Sequence, residues 1–270
     1  MKDSGVYIKK QLVEMGFDDA VIARMLANGD LTRLRPRWYA TRLHDRVVAS
    51  AVRDGGVLTC VDALAFHGLW IPPGHHSMLH LRRSKHQRGK NVACRPIAGP
   101  VYSADRAVDP VPVALKYASG CLAQDEWIAV ADSYLNSSGV GVGELRSEMG
   151  RIGATVGRWL ARVEPMSQSG TESIARVRFQ SVGYDVVVQP FIKGVGHADM
   201  RIGRLLIECD SMRHHTSRED YERDHHRDRR ALIDGWLTLR LTYDDVLYDW
   251  GGVLADVREV TRRDRHRIRR

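Results

Sequence analysis

The hydrophobic positions between residues 169 and 241 alternate between helical and strand-like spacing. Behind Ser169-Gly170-Thr171-Glu172, which is typical of a helix N-cap, apolar residues recur at helical intervals as far as Val182. Three short apolar runs typical of strands follow at 185–189, 197–202 and 205–210. A second helix is predicted from about Ser217 to Gly235, and 236–241 predicts a last strand. The pattern therefore predicts an αβββαβ order.

Two of these strands are separated only by Gly203 and Arg204, which predict a two-residue hairpin turn. The resulting register places Asp199 directly opposite Glu208, with Cβ atoms about 4.5–5.5 Å apart. Asp210 projects from the same face as Glu208, because strand side chains alternate. Opposed carboxylates repel unless a positive charge lies between them, so this face predicts a hard divalent cation, Mg²⁺ first. The alternative is an edge hairpin whose acids face water.

Several ordered motifs in this region resemble a nuclease family. They are Ser169-Gly170-Thr171-Glu172, the Gly-Val-Gly-His-Ala-Asp run at 194–199, Ile-Glu-Cys-Asp at 207–210, His215, Asp-His-His-Arg-Asp at 224–228, Gly235-Trp236 and Leu239-Arg240. Over residues 169–255 the chain resembles the very-short-patch-repair (Vsr)-like endonucleases of the PD-(D/E)xK superfamily. The resemblance implies a restriction-endonuclease-like αβββαβ core that cleaves phosphodiester bonds with Mg²⁺, for which Mn²⁺ is a substitute.

The resemblance also implies roles for individual acids. Asp199 and Glu208 correspond to the metal carboxylates, Glu172 would support the metal from the first helix, and Gln189 lies where some members carry a polar active-site residue. Glu172 is also the third residue of the predicted capping box, and this structural role alone would explain it.

One position departs from the superfamily pattern. Its lysine falls at Asp210, and Vsr-like members that lack the lysine use histidine, so His214 or His215 is expected to accept a proton from the attacking water. Arg227 shares a face of the second helix with Asp224 and is expected to offset charge on the scissile phosphate. The alternative for this face is an exposed salt-bridge ladder.

The cysteines and histidine pairs do not predict zinc. Cys60, Cys94, Cys121 and Cys209 are scattered, which is typical of reduced, mostly buried thiols. The pairs at 214–215 and 225–226 have no cysteine at metal-ligand spacing beside them.

The N-terminal part predicts a small DNA-binding module. Two short helices within 4–28 precede a basic strand at 31–39 that carries Arg33, Arg35 and Arg37. Helix, helix and basic strand resemble the winged-helix domain of AbiEi-type antitoxins over residues 4–95, which implies DNA binding. A helical cap without a DNA role is the alternative.

An acid-free stretch follows. Residues 63–104 contain no Asp or Glu, and they include Arg82, Arg83, Lys85, Arg88 and Lys90. Such a stretch predicts a positive surface that tracks DNA phosphates without reading sequence. A merely solvated loop is the alternative for its basic centre.

Length and charge fit this arrangement. The 270 residues allow more than one core, the net charge is +8 and the pI is about 9.5, which favours a polyanionic partner. We expect an α/β chain with a winged-helix-like module (1–104), a helical linker (105–166) and a Vsr-like domain (167–270). No apolar run is long enough to span a membrane and no signal segment opens the chain, so a cytoplasmic location is expected.

The function expected from these features is Mg²⁺-dependent cleavage of double-stranded DNA, by analogy restriction of foreign DNA in phage defence. The rival hypothesis is a non-catalytic repressor or antitoxin-like regulator that keeps a nuclease fold as a scaffold. An RNase remains a third alternative, because a basic surface does not distinguish DNA from RNA. Cleavage of both strands normally needs two active sites, which a homodimer would supply.

Overall fold

The computed structural model describes residues 2–75, 77–83, 93–95, 104–210 and 229–262. The chain is a mixed α/β protein, as predicted. It divides into two compact units, and each is described by itself below. Unit 1 consists of Met1–Trp127 with Gly141–Ala161, and unit 2 of Ile128–Val140 with Arg162–Arg270. Among the described residues, no helix is long and apolar enough to cross a membrane.

Unit 1 begins with alternating short strands and helices. In chain order these are β1 (Val6–Ile8), α1 (Lys9–Glu14), α2 (Asp19–Ala27), β2 (Leu31–Arg35), β3 (Trp38–Thr41), α3 (Arg46–Arg53), β4 (Val57–Leu58), α4 (Cys60–Phe66) and β5 (Leu81–Arg82). Three strands form an antiparallel sheet in the order β1-β3-β2, and β4 pairs with β5. The two predicted N-terminal helices are confirmed.

The predicted single strand at 31–39 is wrong in one respect, because it is a hairpin. Pro36 and Arg37 form a turn between β2 and β3, and Arg37 has a left-handed φ of 70°. Proline fixes its own φ and donates no backbone hydrogen bond, which favours a turn here over a continuous strand. The core beneath the sheet contains Leu12, Ile22, Leu31 and Tyr39.

Four helices follow in the region predicted to be helical. They are α5 (Val111–Ala118), α6 (Gln124–Ser138), α7 (Val142–Glu148) and α8 (Ala154–Leu160). Within unit 1, the fully buried Trp127 packs 5.7 Å from Trp159 between ring centroids and donates its indole N–H to Leu115 O at 2.8 Å. These helices therefore contribute side chains to a packed core.

Unit 2 contains the second sheet. Its elements beyond the end of α6 are α9 (Gly170–Ser181), β6 (Val187–Val188), β7 (Phe191–Ile192), β8 (Gly196–His197), β9 (Met200–Ile202), β10 (Leu205–Cys209), α10 (described over 229–233), β11 (Leu237–Leu241), α11 (Tyr243–Leu247) and α12 (Trp250–Arg262). The four-stranded sheet has the order β11-β10-β9-β6. The strands β7 and β8 form a separate small ladder that the periodicity did not predict.

The predicted hairpin register is confirmed. Ile202 pairs with Leu205, so that Gly203 and Arg204 form the turn, and Gly203 has φ 59°. The partner on the other side of β10 is β11, which is parallel to it, with Glu208 paired to Arg240. A parallel pair requires a crossover, and this crossover includes α10.

Helix α9 lies buried along nearly all of its length. Ser169 caps it, its hydroxyl accepting the Glu172 N–H at 3.2 Å as the capping motif predicts. Phe179 packs 4.6 Å from Trp250 between ring centroids. On the same helix, Arg176 forms a 2.7 Å ion pair with Asp132 of α6, and both side chains are almost fully buried. The helix is therefore held by packing and by one interior ion pair.

Candidate active site at the end of the four-stranded sheet

Four polar side chains form a row across the sheet of unit 2. In the last row in which all four strands are paired, the side chains are apolar. The next residue beyond this row on each strand is polar. In sheet order that row consists of Gln189, Asp199, Glu208 and Arg240. The backbone supports the alignment, because Gln189 N–H donates to Asp199 O at 2.9 Å and Glu208 is the direct partner of Arg240. The strands thus bring two acids, an amide and a guanidinium to one end of the sheet.

A fifth polar side chain, Glu172, reaches this row from α9. The Gln189 side-chain amide donates to Glu172 Oε2 at 3.2 Å and lies 3.5 Å from Asp199 Oδ1. One amide therefore bridges two carboxylates from different elements. Gln189 has a left-handed φ of 45°, which is uncommon for a residue other than glycine and places the amide at the end of β6.

Backbone groups hold the same two acids from the other side. Asp199 Oδ2 accepts the Cys209 N–H at 2.7 Å, and Glu172 Oε2 accepts the Gln168 N–H at 2.9 Å. Each carboxylate is therefore oriented by a main-chain donor and by the shared Gln189 amide. Fixed orientation of this kind is what a catalytic carboxylate needs, because reacting groups lose rate when their positions shift.

The electrostatics show that the acids lie close together. Burial, and after it the charge of Asp199, raises the pKa of Glu172 to about 7. Burial also raises the pKa of the Cys209 thiol, and the charges of Asp199, Glu172, Glu208 and Asp210 raise it further. The charges of all four carboxylates therefore act on Cys209. Such a concentration of negative charge favours protons or cations at this end of the sheet.

Asp210 lies just beyond the last residue of β10. Its side chain is exposed, whereas Glu208 is half-buried, and its N–H donates to Leu241 O at 2.8 Å. Because Asp210 is exposed beyond the end of β10, its carboxylate is accessible from solvent. It does not share the buried setting of Glu172.

The donor chemistry of this row fits a hard cation, because Mg²⁺ is bound through carboxylate and carbonyl oxygens. The oxygens of Glu172, Asp199 and Glu208 are of that kind. Within the described part of the chain, however, the ligand atoms that lie close enough together to hold a metal ion belong to other side chains and not to these acids. The row is therefore an open arrangement of oxygens rather than a closed one.

Other predicted catalytic residues lie outside the described residues. These are His214, His215 and Arg227, together with Asp224 of the predicted helix face and the histidines at 225–226. Their roles stay predictions.

Three arginines of the basic strand were predicted to contact DNA. In the structure they differ from one another in exposure. Arg33 and Arg37 are exposed on the hairpin of β2 and β3. Arg35 is half-buried, donates to Gly56 O at 3.2 Å and lies 5.1 Å from the Trp38 ring centroid, while burial lowers its pKa. Arg33 and Arg37 are therefore the members of this set that present charge to solvent.

The prediction that Arg82 and Arg83 contact phosphates needs correction. Arg82 is 3 % exposed and forms a two-pronged ion pair with Asp109, at 2.6 and 2.7 Å. Arg83 pairs with Asp54, and both side chains are largely buried. Both arginines pair with acids that lie outside the acid-free stretch. Their charges are therefore neutralised within the protein and are not presented to solvent. Lys85, Arg88 and Lys90 lie outside the described residues.

Sequence reasoning missed a second cluster of side chains. From the sequence the cysteines were described as scattered and His80 was not considered, yet the sulfur and nitrogen atoms of Cys60, His80, Cys94 and Cys121 all lie within 4.8 Å of one another. No short Cys-x-x-Cys spacing marks them. The available signal was a histidine and a cysteine inside the same acid-free stretch.

Comparison of the chain with protein-family models, with curated proteins and with solved structures finds no match.

Proposed function

We propose that the chain is a Mg²⁺-dependent DNA endonuclease whose reaction centre is the polar row in unit 2. The observation that carries the proposal is the bridge from Gln189 to both Glu172 and Asp199, at the strand ends where Glu208 and Arg240 also lie. A sheet ordinarily avoids neighbouring carboxylates, since they repel. Their presence on a partly buried face, with Asp199 and Glu172 each held by a main-chain donor, supports a site that binds a cation and a phosphate.

Each residue then has a defined task. Asp199 and Glu208 would hold Mg²⁺ with support from Glu172, and the bound metal would supply a water of lowered pKa and offset phosphate charge. Gln189 keeps Glu172 and Asp199 at a fixed separation. Without a cation, Glu172 keeps a proton on its carboxyl group at pH values below about 7, which lessens its repulsion with Asp199.

The phosphate and the proton are assigned to other residues. Arg240 lies beside Glu208 in the row and is placed to face a phosphate group from the neighbouring strand. His215, or the adjacent His214, is proposed to accept the proton of the attacking water, and Arg227 to offset charge in the transition state. The exposed arginines of the β2–β3 hairpin and the net charge of +8 support DNA as the polyanion. Restriction of foreign DNA is the biological role we propose.

The test is cleavage of supercoiled plasmid by the purified protein with Mg²⁺ or Mn²⁺. We expect metal-dependent nicking or linearisation, and a loss of about 10²-fold or more in rate for Asp199→Asn, because metal and charge stabilisation contribute several kcal/mol. Asp256→Asn makes the same chemical change at an exposed position on α12 and should cleave like the wild type. Binding to the same DNA is followed in parallel.

A DNA-binding regulator is the second candidate function. The observation that favours it is that the described acids do not already converge as a metal cage. Tight binding without cleavage, on unmodified DNA from several sources, would establish the regulator and leave the polar row a structural feature. Cleavage that persists in Asp199→Asn would place the reaction elsewhere, and preference for RNA over DNA would replace the substrate.

A further inference from the structure

Four side chains from four separate segments of unit 1 meet at one point. Cys60 is the first residue of α4, His80 precedes β5, Cys94 follows the isolated bridge between Leu81 and Ala93, and Cys121 follows α5. Their ligand atoms all lie within 4.8 Å of one another. Cys94 Sγ is 3.4 Å from His80 Nδ1, and Cys121 Sγ is 3.9 Å from Cys94 Sγ.

The separations of 3.4 and 3.9 Å are close to the edges of a zinc tetrahedron. With Zn–S near 2.3 Å and Zn–N near 2.0–2.1 Å, tetrahedral geometry separates neighbouring ligand atoms by about 3.6–3.8 Å. A disulfide would instead bring two of the sulfurs to about 2.05 Å and would leave the third thiol and the imidazole without a role. Three thiol groups and one imidazole around a common centre are the donor set of a structural zinc site.

The histidine is oriented as a metal ligand requires. His80 Nε2 lies 3.0 Å from His75 O, to which it can donate, and this tautomer leaves the lone pair on Nδ1, the nitrogen that faces the sulfurs. The main-chain N–H of His80 donates to Asp62 Oδ2 at 2.7 Å. A carbonyl that fixes the ring and its tautomer is the usual partner of a metal-bound histidine.

The backbone around two of the cysteines is also unusual. Cys60 has a left-handed φ of 55°, which costs free energy for a residue with a side chain. Next to Cys121, a Cβ at Gly120 would lie 2.3 Å from Arg95 O, so that only glycine allows this close approach to the segment that carries Cys94. Both features serve to bring the sulfurs to the common centre.

We propose that Cys60, His80, Cys94 and Cys121 bind one structural Zn²⁺ ion. The four protein ligands complete a tetrahedron, leave no position for substrate, and so act as a cross-link. The cross-link joins the segment at 93–95 and the turn after α5 to α4 and β5. It is a site distinct from the row of carboxylates in unit 2 and does not depend on nuclease activity.

The test begins with the metal content of the full-length protein after expression with zinc and dialysis against metal-free buffer. We expect one zinc per chain, released when a mercurial reagent titrates the thiols and detected with a chromogenic zinc indicator. Cys94→Ser and Cys121→Ser should each lower the bound zinc at least tenfold. Cys209→Ser is the matched control, because Cys209 is the remaining cysteine and belongs to unit 2, and it should keep one zinc.

Two further measurements keep the proposal open to refutation if a ligand variant fails to fold. Exchange of the wild-type protein with Co²⁺ should give the absorption of tetrahedral cobalt together with thiolate charge-transfer bands. His80→Cys, which makes a four-cysteine set, should retain the metal. Absence of cobalt bands, a metal-free wild type from zinc-rich medium, iron in place of zinc, or a disulfide between Cys94 and Cys121 in peptide maps would each overturn the assignment. Because no DNA is present, a failure of the proposed nuclease would leave these results unaffected.

Discussion

The two units concentrate chemically active side chains in opposite ways. In unit 1, three sulfurs and one nitrogen converge from four segments on one point. In unit 2, carboxylates and an amide spread along the end of a sheet, and Asp210 stands exposed beside them. A closed set of soft ligands stabilises a fold, whereas an open set of oxygens leaves room for a cation, water and phosphate.

The difference shows how the proposed structural metal site and the proposed reaction centre differ in their geometry and electrostatics. In unit 1 the four donor atoms lie within 4.8 Å of one another, two pairs of them at 3.4 and 3.9 Å, and the imidazole is oriented by His75 O. In unit 2, burial and then the charge of Asp199 raise the pKa of Glu172. Shifted pKa values of this kind cluster at functional sites, which supports the proposal for unit 2.

The largest expected effect tests whether a buried ion pair stabilises the fold to the same extent in each unit. Unit 1 buries the pair of Arg82 and Asp109, and unit 2 the pair of Arg176 and Asp132. Burial raises the pKa of Asp132 in spite of the attraction of Arg176. Asp109→Ala and Asp132→Ala should each lower the free energy of unfolding by about 3–5 kcal/mol, since an arginine is left buried without its partner. Denaturant unfolding measures this.

Two variants serve as controls for that comparison. Asp256→Ala at an exposed position should change the free energy of unfolding by no more than about 0.5 kcal/mol. Replacing both partners in Asp132→Leu/Arg176→Met should recover much of the loss, because no lone charge then remains. A loss below about 1 kcal/mol for Asp132→Ala would show that unit 2 tolerates uncompensated buried charge, and the comparison would fail.

A smaller effect is expected from the pH dependence of Glu172. Its pKa is about 7 in the folded chain against an ordinary 4.5, so the folded state holds the proton more tightly. The free energy of unfolding should therefore fall as pH rises from about 4.5 to 7, by about 2–3 kcal/mol, and level off above. Thermal unfolding in metal-free buffer between pH 4.5 and 8 measures this fall.

Glu172→Gln should remove that fall and be the more stable protein at pH 8. Glu148→Gln makes the same change at an exposed position and should keep the wild-type profile. Parallel profiles for wild type and Glu172→Gln would mean that neither burial nor the charge of Asp199 raises the pKa of Glu172, and the site would lose its electrostatic signature.

The smallest effect concerns DNA binding by unit 1. Arg33 and Arg37 are exposed on the β2–β3 hairpin, and each phosphate contact releases counterions. If the hairpin contacts DNA as proposed, Arg33→Ala and Arg37→Ala should each reduce the slope of log K against log salt by about 0.9. Fluorescence anisotropy at several salt concentrations measures the slope, and Arg151→Ala, exposed elsewhere in unit 1, should leave it unchanged. An unaltered slope in the hairpin variants would remove the hairpin from the DNA interface.

Local interactions were predictable from the sequence. The cap at Ser169 and the Gly203-Arg204 turn with its register both depend on residues within a few positions of one another. Helix capping and two-residue turns have strong local preferences, so short stretches of sequence report them. The placement of Asp199 and Glu208 at the same level of the sheet followed from that register.

The fate of charged and sulfur-containing side chains was decided by tertiary contacts. Arg82 has the same side chain as Arg33, yet it forms a buried ion pair with Asp109, which is distant in sequence. The prediction of a continuous positive surface failed for Arg82 because the acid-free stretch finds its counter-charges outside itself.

The sequence by itself determined the capped helix α9, the turn between β9 and β10 with its register, and the acids that this sheet presents. Only the tertiary structure decided that Gln189 joins Glu172 to Asp199, and that Cys60, His80, Cys94 and Cys121 meet. The physical reason is the distance along the sequence over which each kind of interaction acts. Capping, turns and side-chain alternation act over one to four residues, whereas a ligand set assembled from four segments exists only after the chain has closed the loops between them.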